Sequence, residues 1–275
     1  MLSHMIRGKA ADNVDSFQAY LRLYLDTAEV AQWERWLPTG LFYGVTCNPL
    51  LLERAGIKCE PDTLIALAQK AFEMGVSEVH LQAWGDTTEA LVAVGQTLGS
   101  ADSRILVKLP ATEAGTTAAK ALIQSGIPVT LTAVYAVHQV LIAAAIGASY
   151  VAPYLGRITD SGRDGRADVG AMQRSLYGVR SETRLLVASI RDVEDLSALA
   201  GEVVDAEIGA VEPQLLGGDR QVDGLQQRVR GGAGGRAALR GPMSEGQEAD
   251  LLHSDTPWAA AAAESPLCRA RLSHS

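Results

Sequence analysis

From residue 22 to about residue 200 the chain alternates short apolar, β-branched runs with longer amphipathic stretches, and no other feature limits the possible folds so strongly. The strand-like runs are Leu23–Asp26, Tyr43–Asn48, Glu78–Trp84, Ile105–Pro110, Pro128–Val134, Tyr150–Leu155 and Leu185–Ser189. Helix-like segments lie between them, for example Asp62–Met74, with Asp62 as its N-cap, and Asp86–Leu98, where Asp86 and Glu89 have capping-box spacing. Repeated βα units of this length predict an α/β fold, a (β/α)8 TIM barrel with a poorly defined eighth βα unit. The eighth-strand candidate is Val203–Val211, which carries Asp205 and Glu207 where a buried strand should be apolar. A doubly wound sheet is the alternative, but no GxGxxG follows the first strand.

This divides the chain into an N-terminal extension (1–21), a barrel (22–217) and an atypical C-terminal tail (218–275). The tail holds the run Arg228–Arg236, rich in arginine and glycine, and an alanine run from Ala259 to Ala263. No aromatic residues interleave the arginines, so it reads as a flexible linker rather than an RNA-binding patch.

A net charge of −8 argues against nucleic acid as a partner, while leaving room for small anions where arginines gather. A content of 47 % hydrophobic residues suffices for a large core, yet no window offers a membrane span and the first twenty residues lack a signal-peptide core. A soluble, cytoplasmic protein is expected. Cys47, Cys59 and Cys268 show no CxxC spacing, and the five histidines show no HxxxH or HxH pairing, so neither a disulfide framework nor a metal site is expected.

Within the fourth run, Ile105-Leu106-Val107-Lys108-Leu109-Pro110, a single lysine interrupts aliphatic neighbours. A buried ammonium is costly unless it is paired or made neutral, and a neutral amine is a nucleophile that forms Schiff bases with carbonyl compounds. The chain has five lysines against nineteen arginines, which suggests a task that arginine cannot perform. Two readings stand at this point: a catalytic amine, or a lysine that snorkels to a strand end or pairs with a buried carboxylate.

The ends of the other strands are polar too. Asp26 closes the first; Thr46 and Asn48 share a parity on the second; Gln82 is late in the third. Thr132, Tyr154 with Arg157 just beyond it, and Ser189 follow on the fifth, sixth and seventh. Chemistry in a parallel barrel gathers at the carboxyl ends of strands, so these groups would share one mouth. Each also has a structural explanation, Asp26 near the start of a helix around Ala28 and Thr132 or Ser189 satisfying nearby backbone. His80 has the parity of Gln82 but lies one layer deeper, as a satisfied core histidine, and Trp84 can be read as packing only.

The segments Tyr24-Leu25-Asp26-Thr27, Gly44-Val45-Thr46-Cys47-Asn48-Pro49, Val107-Lys108-Leu109-Pro110, Thr112-Glu113-Ala114-Gly115, Thr132-Ala133-Val134-Tyr135, Ala152-Pro153-Tyr154-Leu155-Gly156-Arg157-Ile158 and Ala188-Ser189 together resemble the small transaldolase family, in its fructose-6-phosphate aldolase branch. The resemblance spans about residues 22–200. It implies a (β/α)8 class I aldolase or transaldolase that needs no metal or other cofactor and acts on sugar phosphates. It further implies Lys108 as the Schiff-base lysine and Asp26 as the carboxylate that handles the hydroxyl proton during carbon–carbon cleavage. Asn48 and Thr46 match the residues holding the donor hydroxyls, and Arg157 and Ser189 the phosphate-binding pair. Gln82, Thr132 and Tyr154 match the group that positions a catalytic water. Transaldolases proper typically have glutamate and phenylalanine where this chain has Gln82 and Tyr154, which favours the aldolase branch over a transaldolase of the pentose phosphate pathway.

The chain departs from the family pattern in its first twenty residues, in Cys47 for a second threonine, and after the seventh strand, where the usual apolar terminal helix is not recognisable. The resemblance implies a homo-oligomer, and the altered C-terminus counts against one. An open barrel would expose the edges of the first and seventh strands. The competing expectation is therefore a catalytically silent barrel remnant that at most binds sugar phosphates through Arg157 and Ser189.

Overall fold

The computed structural model describes residues 22–202, 210–211 and 213. The extension (1–21), the tail (218–275) and the acidic positions Asp205 and Glu207 lie outside the described residues. Eight parallel strands form one curled sheet in the order β7-β6-β5-β4-β3-β2-β1-β8. They are β1 (Leu23–Asp26), β2 (Phe42–Thr46), β3 (Glu78–Gln82), β4 (Ile105–Pro110), β5 (Val129–Val134), β6 (Tyr150–Pro153), β7 (Arg184–Leu185) and β8 (Ala210–Val211). Consecutive strands are neighbours, each reached by a helical crossover, as a right-handed βα progression requires. The result is a TIM-barrel-like α/β fold.

Of the eighth-strand candidate, residues 203–209 lie outside the described residues; β8 pairs Ala210 with Tyr24 and Val211 with Leu25. This corrects the expectation of an exposed β1 edge: β1 is flanked by β2 and β8, and the sheet ends at β7 and β8 among the described residues.

Alternation along each strand splits the core in two. Leu25, Val45, Val79, Leu81, Val107, Leu109 and Leu131 face outward into a large apolar layer beneath the helices. Inside, Tyr24, Leu106, Tyr150, Ala152 and Leu186 form a second, smaller cluster within the barrel. Lys108 shares parity with the inner set, which is why a charge can sit in an otherwise aliphatic strand.

The helices that cover the sheet are α1 (Val30–Trp36), α2 (Pro49–Arg54), α3 (Pro61–Glu73), α4 (Thr88–Gly99), α5 (Glu113–Gln124), α6 (Val137–Ile146), α7 (Leu155–Asp160), α8 (Gly165–Gly178) and α9 (Val193–Glu202). In α3, Leu64, Leu67, Ala68 and Ala71 form the buried stripe at helical spacing. Two cap assignments shift. Pro61, pre-set for a first helical position, moves the N-cap of α3 to Glu60, with Asp62 in the first turn. The cap of α4 is Thr87, whose hydroxyl accepts from the Ala90 amide at 3.2 Å, one residue after Asp86. Asp26 is not a cap either, because α1 begins at Val30 behind Glu29.

Beneath the mouth the barrel is plugged by a polar cluster. Glu78 Oε2 accepts from the hydroxyls of Tyr24 (2.7 Å) and Tyr150 (2.9 Å), and Arg22 donates to the Tyr150 hydroxyl at 2.6 Å. The His80 ring is fully buried, with Nδ1 3.0 Å from the Thr130 hydroxyl and Nε2 3.5 Å from Glu78, between the edges of Tyr24 and Tyr150. It is the satisfied core histidine its depth suggested. Gly44 makes the cluster possible: a Cβ there would lie 2.6 Å from the Tyr24 ring and 2.5 Å from the Glu78 carbonyl oxygen.

Candidate active site

Lys108 is 6 % exposed, and its amine donates to Thr46 Oγ1 at 2.8 Å and to the Cys47 carbonyl at 3.1 Å. It therefore does not snorkel to solvent. Both acceptors come from the end of β2, two strands away across the barrel interior. The strand register surrounds it with the expected groups: Gln82, itself buried, pairs with Lys108 across β3 and β4, and Asp26 pairs with Thr46 across β1 and β2.

The Cys47 thiol reports the local field. Its pKa is pushed up to about 12, chiefly by burial, with the Asp26 charge raising it and the Lys108 charge working against both. A thiol so placed is a small apolar filler. Asn48 has a local duty beyond the one expected of it. As the N-cap of α2, ahead of Pro49, its Oδ1 accepts from the Leu51 amide at 3.0 Å. The cap thereby occupies Oδ1 and leaves the amide nitrogen as the side chain's donor, held in a fixed direction.

On the far side of the mouth the Thr132 and Tyr154 hydroxyls meet at 2.9 Å. Tyr154 stacks edge-on against Tyr135, centroids 5.7 Å apart, and the Arg157 guanidinium lies 5.9 Å from the Tyr154 ring centroid. The Tyr135 phenol is pushed up to about 12 by burial and then by the neighbouring Tyr154, with Arg157 opposing. Ser189 sits at φ 58°, in the left-handed region, and its carbonyl accepts from the Gly156 amide at 3.0 Å. This links the segment after β7 to the first turn of α7, which bears Arg157.

Two residues escaped the reading of the sequence. Arg191 lies beside Ser189: its Nε and the Ser189 hydroxyl would lie 2.6 and 3.0 Å from a Cβ on Gly156, and its guanidinium grips the Asp160 carboxylate with both terminal nitrogens. Its position two residues beyond Ser189 is the signal that could have revealed it. Tyr135 follows Val134 at the end of β5 and could have been found by the same strand-end argument. All nine residues expected to form a site thus gather at the carboxyl ends of the strands. Thr46 with Lys108 and Thr132 with Tyr154 are in direct contact; Arg157 and Ser189 are joined through Gly156.

Among the described residues no group of three or more His, Cys, Asp or Glu side chains could hold a metal ion, and no helix is long and apolar enough to cross a membrane.

Among the described residues, a parallel α/β barrel thus holds one buried lysine near hydroxyls, amides and a carboxylate, with two arginines at the rim. Residues 23–204 match the family model described as transaldolase/fructose-6-phosphate aldolase, and the chain belongs to that family. It is 34 % identical over 212 residues to a protein named "Probable transaldolase" from Thermus thermophilus, covering 71 % of this chain and 91 % of that one. It is also 29 % identical over 183 residues to "Probable transaldolase 2" from Bacillus cereus, covering 66 % and 82 %. Among solved structures, a dihydrodipicolinate synthase family protein from Coccidioides immitis superposes with a TM-score of 0.51 at 13 % identity, over 78 % of this chain and 73 % of that one, a likeness of fold alone.

Proposed function

We propose that this protein is a class I aldolase of the transaldolase family, which cleaves and forms the C3–C4 bond of a ketose phosphate such as fructose 6-phosphate through a Schiff base on Lys108. The observation that carries this reading is the buried Lys108 amine, held by Thr46 and the Cys47 carbonyl at the mouth of the barrel.

In its neutral form the Lys108 amine attacks the C2 carbonyl, and loss of water yields an iminium ion that draws electrons from the C3–C4 bond. Asp26 takes the proton of the C4 hydroxyl as that bond breaks, and the aldehyde phosphate departs. The remaining enamine of dihydroxyacetone is held at its hydroxyls by Asn48 and Thr46. Water positioned by Tyr154, Thr132 and Gln82 returns a proton to C3 and hydrolyses the iminium, freeing dihydroxyacetone. Arg157, Ser189 and the adjacent Arg191 serve the phosphate, for which guanidinium forks are well shaped. No step calls for a metal or cofactor, the partners are small sugar phosphates, and the enzyme acts in the cytoplasm.

The relatives' names favour transfer of the dihydroxyacetone unit to an aldose phosphate acceptor, which uses the same enamine. The Tyr154–Thr132 hydroxyl pair favours hydrolysis, because a phenol can relay a proton to water. The test is Lys108→Met in a coupled assay for glyceraldehyde 3-phosphate. Wild type should turn over fructose 6-phosphate and the variant should lose turnover by at least about 10⁴-fold, the scale at which a covalent nucleophile acts. Turnover retained in the variant would remove the Schiff base from the account, and a folded but inactive wild type would favour the silent remnant.

A further inference from the structure

Tyr135 stands at the mouth without a part in the chemistry above, and the backbone is strained to bring it there. Toward β6, Leu131 pairs with Val151 and Val134 with Pro153, so β5 carries one more residue than β6 over the same span. The extra residue is taken up at Ala133, whose φ of 57° is a left-handed conformation that strains an alanine. Leu131 and Val134 both remain in the outer apolar layer. Unbroken alternation would turn Tyr135 outward with Leu131; the bulge returns it to the side of Thr132, against Tyr154. Its main chain is then fixed from two directions. The Tyr135 amide donates to Gln139 Oε1 at 2.8 Å, and its carbonyl accepts from Arg163 Nη1 at 2.8 Å, Arg163 being paired with Asp168. The ring so anchored meets Tyr154 edge-on, with planes at 80°. Tyr154 in turn has its amide on the Val134 carbonyl at 3.1 Å and its hydroxyl 2.9 Å from that of Thr132.

We propose that Tyr135 is a positioning residue for the Tyr154 phenol: its ring edge keeps that phenol on Thr132, and so favours release of dihydroxyacetone to water over transfer to an aldose phosphate. The proposal rests on the aldolase reading above. Tyr135 acts through Tyr154 and not on the sugar. What it contributes is the shape of its ring, since burial keeps its own hydroxyl protonated at neutral pH.

The test is the ratio of dihydroxyacetone released to dihydroxyacetone transferred, with fructose 6-phosphate and an added aldose phosphate. It is measured for wild type, the aliphatic variants Tyr135→Leu and Tyr135→Met, and Tyr135→Phe, each alone and combined with Tyr154→Phe. The aliphatic variants should lower the released share about 3- to 10-fold, the scale of one edge-to-face pair. Tyr135→Phe should restore it, and in the Tyr154→Phe background the aliphatic variants should change nothing further. A second readout needs no turnover. In fluorine NMR of the fluorotyrosine-labelled full chain, the Tyr154 signal, identified by its loss in Tyr154→Phe, should move in the aliphatic variants and hold in Tyr135→Phe. An unchanged ratio in the aliphatic variants, an equal loss in Tyr135→Phe, or equal losses with and without the Tyr154 phenol would overturn the proposal. A wild type that traps no sugar on Lys108, while the Tyr154 signal moves as expected, would instead refute the Schiff-base reading and uphold the positioning of Tyr154 by Tyr135.

Discussion

Gly156→Ala is the substitution for which the structure makes the sharpest quantitative statement. The added methyl would meet Ser189 O and Arg191 Nε at 2.6 Å and Ser189 Oγ at 3.0 Å, against ordinary contacts of 3.4 Å or more. Relief requires Ser189 or α7 to move by about 0.8 Å, the difference between those contacts. Arg191 can swing aside, but the Ser189 carbonyl is backbone at φ 58° and is bonded to the Gly156 amide, so it cannot. Overpacking of this kind costs about 1–3 kcal/mol, while alanine in place of glycine returns about 1 kcal/mol of helix propensity. Stability should therefore fall by no more than about 2 kcal/mol. The functional effect is larger, because a displacement near 1 Å at a binding group can cost about 10²-fold. Steady-state kinetics with fructose 6-phosphate should show kcat/KM reduced by about 10- to 100-fold, whereas reductive trapping of unphosphorylated dihydroxyacetone should stay within two-fold (roughly 0.4 kcal/mol) of wild type. Equal losses in the two assays, or no loss in either, would refute the link between Gly156, Ser189 and phosphate.

Tyr154→Phe removes the phenol that meets Thr132. Cleavage should fall by roughly 10²-fold and the share of transfer to an added aldose phosphate should rise, read as the product ratio by chromatography; an unchanged ratio would take the phenol out of the mechanism. The plug predicts acid sensitivity. Burial holds the His80 pKa below its ordinary 6.5, helped by the Lys108 charge and opposed by Glu78. For Glu78, burial is the largest single influence and acts upward, but the bonds from His80, Tyr24 and Tyr150 together outweigh it and hold the carboxyl below 4.5. Both folded values are depressed, so both groups contribute stability that is whole above their ordinary pKa and is lost as pH falls through the folded one. Tm should decline as pH drops below 6.5 and again below 4.5, and His80→Phe should flatten the first decline; a variant as steep as wild type between pH 7 and 5 would contradict this assignment.

The strands were legible because a parallel sheet buries both faces, and unbroken apolar runs such as Ile105–Pro110 are rare elsewhere. Lys108, Asp26 and Thr132 stood out for the same reason, as polar intrusions at the ends of such runs. The caps were legible only to within a residue, since Asp86 and Thr87 both carry a capping oxygen and only backbone geometry chooses Thr87. The plug was not legible at all. Arg22, Glu78 and Tyr150 lie 56 and 72 residues apart in turn, and nothing local announces that one carboxylate gathers two phenols from opposite strands. Tyr24 and Tyr150 looked like ordinary apolar members of their strands, and His80 could be placed in depth but not given its partners. Arg191 was hidden differently: it follows Ser189 in a segment with no strand or helix periodicity, so its place two residues beyond Ser189 is a faint signal and its approach to Gly156 makes the link plain.

The central claim is that the Lys108 amine forms a Schiff base, and borohydride reduction tests it most directly. Purified protein is reduced in the presence of dihydroxyacetone or fructose 6-phosphate, and the intact chain and its peptides are weighed by mass spectrometry. One stable adduct, mapped to Lys108 and absent without sugar, is the predicted result. A folded sample that gives no adduct, or an adduct on Lys58, Lys70 or Lys120, would contradict the account.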